Sequence, residues 1–139
     1  MKYEILPCGG GDAGFIEEQA DKLADTIAPP EDGAEDEQYV YKVTDGEGNN
    51  LGGCVLNIDN WKSAAINDLW VDAPCQRQGI GTRLLLAVER EAKEKGAHVM
   101  LFDAFDWNVE FFKKNGYTVT GTPEGFPKGH TMYLTQKFL

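Results

Sequence analysis

The residues best suited to chemistry form the short segment QRQGIG, residues 76–81, which joins a predicted strand to a predicted helix. Gly79 and Gly81 lack the side chains that would keep a ligand away from the backbone. A helix that begins directly after such a turn presents unpaired N–H groups and the positive end of its dipole. The turn therefore suits a diphosphate. It lacks the Lys-Ser/Thr pair of a P-loop, which argues against a magnesium-bound nucleoside triphosphate.

A second glycine-rich segment, GGGDAG at residues 9–14, formally matches G-x-G-x-x-G. A dinucleotide-binding fold would also place an acidic residue at the end of the next strand and continue the strand–helix alternation. In this chain the acids precede the strand YVYKV, and no doubly wound pattern follows. We interpret the segment as a flexible turn, with NAD binding as the alternative.

Other residues that could carry chemistry are few and scattered: Cys8, Cys54, Cys75, His98 and His130. The odd number of cysteines and the absence of C-x-x-C predict neither a disulfide framework nor a zinc site, so we expect a reducing cytoplasm and no metal. Cys75 has no histidine nearby in sequence, and Ser63, the single serine, is not within G-x-S-x-G, so neither predicts a nucleophile. His130 is interpreted as a structural turn residue, with a substrate-facing role as the alternative.

The elements that position the QRQGIG turn follow from hydrophobic periodicity and from glycine and proline punctuation. Helices are predicted in DAGFIEEQADKLADTIAPP, between about Gly79 and Lys95, and in NVEFFKKNGY. The helix after the turn is expected to bury Ile80, Leu84, Ala87, Val88 and Ala92. Strands are predicted in KYEIL, YVYKVTD, LGGCVLNIDN, AAINDLWV, HVMLF, YTVTG and TMYLTQKFL.

The strand–helix–strand segment across residues 63–102 is long enough for a parallel crossover, whereas the other strands can form hairpins. Runs of strands with separated helices predict a mixed α/β or α+β sheet. We see no internal repeat or second domain, and we therefore predict that residues 1–139 form a single domain.

The net charge of −10 is concentrated at one end of the chain. Residues 1–38 hold eleven acids against Lys2 and Lys22, which leaves −9, whereas residues 39–139 are close to neutral. This distribution does not predict a basic surface for nucleic acid. No apolar run approaches the roughly 20 residues of a membrane span, so no membrane partner is expected.

Two segments carry a family resemblance. INDLWVDAPCQRQGIGTRLL resembles the acetyl-CoA-binding motif of the GNAT N-acetyltransferases, and AFDWNVEFFKKNGYTV is similar to the family's later N-x-x-A-x-x-F-Y-x-x-x-G-F segment. FPKGHTMYLTQKFL looks like a closing strand of one bacterial-type branch, and the element order matches over essentially the whole chain. The resemblance implies a GNAT-like domain with a mostly antiparallel sheet of six to seven strands and one splayed parallel pair. It also implies acetyl-CoA (coenzyme A) as cosubstrate.

The resemblance further implies where coenzyme A would bind. The strand before the turn would pair with the pantetheine arm, with the N–H of Val71 near the developing oxyanion. The turn would face the diphosphate, with Arg77 close to its charge. Leu69, Val71 and Phe111 could instead be core residues. The implied cofactor-binding residues are Leu69, Trp70, Val71, Gln76, Arg77, Gln78, Gly79, Ile80, Gly81, Thr82, Asn108 and Phe111.

The implied reaction is direct attack of a primary amine on the acetyl thioester. The family's catalytic glutamate would fall at Ala65 or Asn67, neither of which is acidic, so Asp68 is the nearest candidate base. Asp68 could equally face outward or bind a substrate cation. The position of the family's usual proton-donating tyrosine is occupied by Phe112, which cannot donate a proton. The thiolate would therefore leave unaided or with help from Tyr117 or Tyr133.

The resemblance implies that the loop after the first helix borders the acceptor site. In this chain that loop is the acidic segment PPEDGAEDEQ, so we expect a cationic acceptor such as a polyamine, an aminoglycoside-like compound or a lysine side chain. The alternative function is a coenzyme A-binding sensor or regulatory module without turnover, which Phe112 and the missing glutamate favour. The protein is expected to be a monomer or a homodimer, in which the last strand could pair with a second subunit.

Overall fold

The computed structural model describes residues 1–31 and 33–139, whose contacts group into two units, residues 1–33 and 34–139. Asp32, one of the five predicted loop acids, lies outside the described residues. The first unit contains a 3₁₀ turn, Gly10–Asp12, followed by helix α1, Ala13–Ile27, as the sequence predicts. The single-domain assignment of residues 1–139 stays a prediction.

The first predicted strand, KYEIL, is wrong, because residues 1–9 adopt no regular secondary structure. Alternation over five residues is a weak signal, since a strand is stabilised by its neighbours rather than by an intrinsic backbone preference. The missing strand also removes the context that a dinucleotide site at residues 9–14 would need.

The second unit is built on one six-stranded mixed sheet in the order β1-β2-β3-β4-β6-β5. Only β3 and β4 are parallel neighbours, which confirms the predicted crossover. The sheet edges are β1 and β5, so the last strand is not an edge available to a second subunit as the homodimer expectation assumed. The strands are β1 Glu37–Thr44, β2 Asn50–Ile58, β3 Ser63–Val71, β4 Val99–Phe105, β5 Thr118–Gly121 and β6 Met132–Phe138.

A β-bulge in β3 determines which side chains face the core. Val55 is paired with Asp68 and Leu56 with Ile66, so Asn67 is an extra residue on β3. Because side chains alternate along a strand, the extra residue reverses the alternation beyond it. Ile66 is buried before the bulge, and Leu69 packs against the same core after it.

Helix α2, Ile80–Glu94, crosses from β3 to β4 and covers one face of the sheet. It buries Leu84, Leu85, Val88 and Ala92, whereas the predicted core residue Ala87 is exposed. Helix α3, Val109–Lys114, adds Phe112, whose ring stacks on Phe102 at a centroid distance of 4.0 Å.

The parallel strands β3 and β4 separate after a short paired region. Their register has three pairs and ends at Ala65 and Leu101. Beyond this point the edge of β3 that faces β4, from Ile66 to Val71, has no partner in β4. The sheet therefore contains the splayed parallel pair that the resemblance implied.

A charged network ties α2 to β6. The carboxylate of Glu89 on α2 accepts hydrogen bonds from Lys137 Nζ at 2.9 and 3.2 Å and from the Tyr117 hydroxyl at 2.9 Å. Lys137 also donates to the carbonyl of Asn115 at 3.0 Å, directly after α3. The network links the two helices that border the site described next.

Candidate functional site

A cavity of about 450 Å³ opens between the end of β3, the turn after it and the starts of α2 and α3. Its lining combines apolar side chains with polar and charged ones. The lining residues are Leu69, Val71, Gln76, Arg77, Gly79, Gly81, Thr82, Asn108, Glu110, Phe111 and Lys114.

The turn between β3 and α2 is shaped by a side-chain hydrogen bond and by two residues with positive φ. A 3₁₀ turn, Ala73–Cys75, follows β3, and Gln76 Nε2 then donates back to the carbonyl of Val71 at 3.0 Å. Arg77 and Gly79 both adopt positive φ angles, of 65° and 83°. A left-handed residue followed by a helical one forms a concave row of N–H groups that suits an anion.

The positive N-terminal end of α2 has no acidic residue in its own first turn and no side-chain cap. The N-cap residue is Gly79, which has no side chain to form a capping hydrogen bond. The first N–H groups of a helix have no intrahelical partner. Arg77 and Lys114 also line the cavity, and their two positive charges exceed the one negative charge of Glu110. The cavity can therefore stabilise an anionic ligand.

Gly81 keeps the cavity open next to the side chains of Phe111 and Val71. A Cβ atom at this position would lie 3.4 Å from the ring of Phe111 and 3.6 Å from Cγ2 of Val71. A larger side chain would fill the space between the two elements. Apolar side chains next to a turn that suits an anion fit an extended ligand with a diphosphate at one end.

Nine of the twelve predicted cofactor-binding residues line this cavity, and Trp70, Gln78 and Ile80 do not. Trp70 is turned to the other sheet face by strand alternation. The side chain of Gln78 donates back to the carbonyl of Pro74 at 3.3 Å. Two lining residues were missed, Glu110 and Lys114, although helical spacing places Lys114 one turn after Phe111.

The candidate base Asp68 does not line the cavity. Alternation after the bulge places Asp68 and Trp70 on the sheet face opposite Leu69 and Val71. There they border a depression of about 280 Å³ with β1 and β2. Burial, together with the nearby Asp68 carboxylate, raises the pKa of the Cys54 thiol to about 12.

Neither Phe112, at the position of the family's usual tyrosine, nor Tyr117 presents a hydroxyl to the cavity. Phe112 is 1% exposed within the core. Tyr117 is also buried, and its hydroxyl donates to Glu89. Burial, and secondarily the Glu89 carboxylate, raises the pKa of Tyr117 well above its ordinary value. Tyr117 is thus placed to support the fold rather than to donate a proton to a ligand.

An acidic depression of about 390 Å³ lies on the β1–β3 part of the sheet. Asp36 and Glu37, from the predicted acidic loop, line it together with Asp59. The carboxylate of Asp36 accepts from the backbone N–H of Asn60 at 2.8 Å, which fixes its position. Asp59 was missed by sequence reasoning, because it becomes relevant only when β1 and β2 pair.

A second depression, also of about 390 Å³, adjoins the first where β3 and β4 separate. The two share Ala65 and Leu101, and the second is also lined by Asn67 and Asp103. Among the described residues, no lysine or arginine lines either depression. A negatively charged path therefore leads along the sheet to the gap between the parallel strands.

Among the residues that the structure describes, no three or more of His, Cys, Asp and Glu are arranged to hold a metal ion. In the same part of the chain, none of the helices combines the length and the apolarity that crossing a bilayer requires.

Comparison with known proteins identifies acetyltransferases. A sequence model described as "Acetyltransferase (GNAT) family" matches residues 11–117. The chain is 29% identical over 96 residues to blasticidin-S acetyltransferase of Streptomyces morookaense, covering 68% of this chain and 71% of that protein.

Two solved structures extend this comparison to the fold. An acetyltransferase from Bacillus cereus ATCC 14579 superposes with a TM-score of 0.88 at 29% identity, covering 99% of this chain and 98% of that one. An aminoglycoside 6′-N-acetyltransferase complexed with coenzyme A has a TM-score of 0.66 at 15% identity, covering 91% of this chain and 85% of that one. At that low identity the second likeness shows the fold alone.

Proposed function

Because the chain belongs to the GNAT acetyltransferase family, an acetyl-CoA-dependent group, we propose that it transfers an acetyl group to a primary amine of a cationic acceptor. The observation that carries the proposal is the cavity that joins the open edge of β3 to the uncapped N-terminus of α2. A ligand such as acetyl-CoA, which carries a thioester at one end of its pantetheine arm and a diphosphate at the other, requires both features in one continuous space.

The residues of the cavity divide between the parts of the cosubstrate. The N–H groups at the start of α2 and the guanidinium of Arg77 bind the diphosphate, assisted by Lys114. The open backbone edge of β3 pairs with the amides of the pantetheine arm, which holds the thioester in the gap between β3 and β4. The N–H of Val71 polarises the thioester carbonyl.

The acceptor approaches from the opposite side of the sheet. Asp36, Glu37, Asp59 and Asp103 line the two connected depressions that end at the gap. Their negative charge raises the local concentration of cationic amines, and the effect weakens as salt screens it. A relative named for the acetylation of blasticidin S supports a small-molecule acceptor.

Turnover with an amine panel tests the function. Release of free thiol from acetyl-CoA would be measured with spermidine, kanamycin and Nα-acetyl-lysine amide, with an uncharged amide of similar size as the control. We expect thiol release with at least one amine and none with the control. Tight acetyl-CoA binding without turnover on any amine would favour the second candidate, a coenzyme A-binding sensor, which the buried Phe112 and the non-acidic Ala65 and Asn67 suggest.

The negatively charged path is tested by neutralising Asp36 and Glu37, the two of its acids that come from the predicted acidic loop. Asp36→Asn/Glu37→Gln should raise the KM for the amine and flatten its dependence on salt, while kcat changes little. A matched double variant, Glu47→Gln/Glu94→Gln, makes the same change of charge away from the depressions. An unchanged KM and salt dependence in the first variant would contradict the cationic-acceptor proposal.

We infer that the protein works in a reducing cytoplasm as a monomer or homodimer. The inference is supported by Cys8, Cys54 and Cys75, which are all free thiols. Gel filtration with light scattering would decide between the two oligomeric states.

A further inference from the structure

An aspartate and a histidine lie side by side where β4 ends and β6 begins. His130 Nδ1 is 2.9 and 3.1 Å from the two carboxylate oxygens of Asp106. Asp106 directly follows β4, and the register of β4 with β6 pairs Phe105 with Met132. Strand pairing therefore brings together two residues that are 24 positions apart.

The imidazole is held in a defined position. Its ring packs edge-on against Trp107 at a centroid distance of 5.3 Å, and Trp107 stacks on Phe105 at 4.5 Å. The backbone of His130 makes three hydrogen bonds within its loop, of 2.8, 2.9 and 3.2 Å, with Pro127, Gly125 and Phe126. A fixed ring of this kind is already oriented for proton transfer.

Asp106 is close in the chain to the cavity that we assign to the cosubstrate, and His130 contacts Asp106. Asp106 precedes the cavity-lining residue Asn108 by two positions, so their Cα atoms are at most about 7.6 Å apart. The side chain of Asn108 accepts from the N–H of Phe105 at 2.7 Å and fixes this turn. The pair is thus placed at the end of β4, the strand that borders the gap.

One ring nitrogen remains able to exchange protons. The Asp106 carboxylate engages Nδ1, while no described residue hydrogen-bonds Nε2. The His130 side chain is 48% exposed, so solvent and an acceptor can reach it. A neutral imidazole oriented by a carboxylate is a common general base.

We infer that His130 is the general base of the acetyl transfer and that Asp106 is its positioning residue. The inference rests on the function proposed above. His130 Nε2 accepts one proton from the protonated amine, whose nitrogen then forms a bond to the thioester carbonyl carbon. The carbon–sulfur bond breaks, and the sulfur leaves with its electron pair as a thiolate. The thiolate takes the second amine proton, and His130 returns the first to solvent.

The test compares three variants of the full chain on the best amine of the panel above. His130→Ala should lower kcat/KM by about 100-fold or more, the usual contribution of a general base. Added free imidazole should restore part of the activity of His130→Ala but not that of the unaltered protein. Asp106→Asn should lower kcat with little change in the KM of the amine.

His130→Gln separates catalysis from a structural tether, because its amide can still donate to Asp106 but cannot accept a proton as imidazole does. We expect it to be as impaired as His130→Ala. Its melting temperature should match that of the unaltered protein, and its acetyl-CoA affinity should stay within about twofold of the unaltered value. Lys128→Ala, in the same loop, is the matched control and should keep full activity.

Several outcomes would overturn the inference. It fails if His130→Gln keeps its activity, if imidazole does not rescue His130→Ala, or if Asp68→Asn loses more activity than His130→Ala. In each of these cases the unaltered protein still turns over, so the proposed function stands. Absence of turnover by the unaltered protein with every amine would instead overturn the proposed function and this inference with it.

Discussion

Replacing Lys137 with methionine should remove a large part of the stability of the 34–139 unit. Lys137 is 27% exposed, and its partner Glu89 is only 7% exposed. Methionine keeps much of the apolar stem but loses the ammonium group, so the Glu89 carboxylate keeps the Tyr117 hydroxyl as its remaining side-chain donor. The variant therefore leaves a buried charge without its counter-ion.

The size of the effect follows from this burial. Removing one partner of a buried ion pair costs about 3–5 kcal/mol. Because the site of Lys137 retains some contact with water, we expect the lower end, about 3 kcal/mol. With an unfolding entropy of about 2.1 cal/mol/K per residue, this loss lowers the melting temperature of such a unit by about 10–15 °C.

Urea unfolding and thermal melts would measure the loss, with Lys113→Met as the matched control. Lys113 is 3.3 Å from Glu110, and their side chains are 46% and 70% exposed. An exposed pair of this kind should contribute less than about 0.5 kcal/mol. Adding Glu89→Gln to Lys137→Met should recover part of the stability, since it removes the unpaired charge. Equal losses in the two lysine variants, or no recovery in the double variant, would refute the reasoning.

Three further predictions concern glycines and a thiol. Gly79→Glu should weaken acetyl-CoA binding by about tenfold relative to Gly79→Gln. Both variants share the strain of a positive φ, and only the first adds a negative charge at the diphosphate site. Equal affinities in calorimetry would indicate that the diphosphate binds elsewhere. Gly52→Ala should destabilise the fold by about 1–3 kcal/mol in urea unfolding, because its Cβ would lie 2.8 Å from a strand carbonyl, whereas Gly46→Ala, which meets nothing within 4 Å, should not. With a pKa of about 12, only on the order of one Cys54 thiol in ten thousand is the reactive thiolate at pH 8, so alkylation followed by mass spectrometry should label exposed Cys8 long before Cys54; equal rates would contradict this.

Local signals in the sequence were sufficient for most of the framework. The glycine turn, the buried positions Leu84, Val88 and Ala92 of α2 and the helix in NVEFFKKNGY each depend on neighbouring residues. The parallel crossover follows from the length between two strands. These features were correctly predicted because each is determined within one continuous segment of chain.

What sequence reasoning missed depends on pairing between distant segments. The bulge at Asn67 exists only in relation to β2, and the contact of Asp106 with His130 exists only because β4 pairs with β6. Asp59 likewise gains its place beside Asp36 through the β1–β2 hairpin. Strand KYEIL failed for the same reason, since no neighbour was available to pair with it.

The bulge at Asn67 has a consequence for which mutations this strand can accept. Side chains alternate with a period of two along a strand. Removing one residue here would therefore reverse which side chains from Asp68 to Val71 face the core and which face solvent. A loss of a single codon would thus bury a carboxylate and a tryptophan, and expose Leu69 and Val71 to water. Single substitutions change one position at a time, so the length of this strand is under a stricter constraint than its composition.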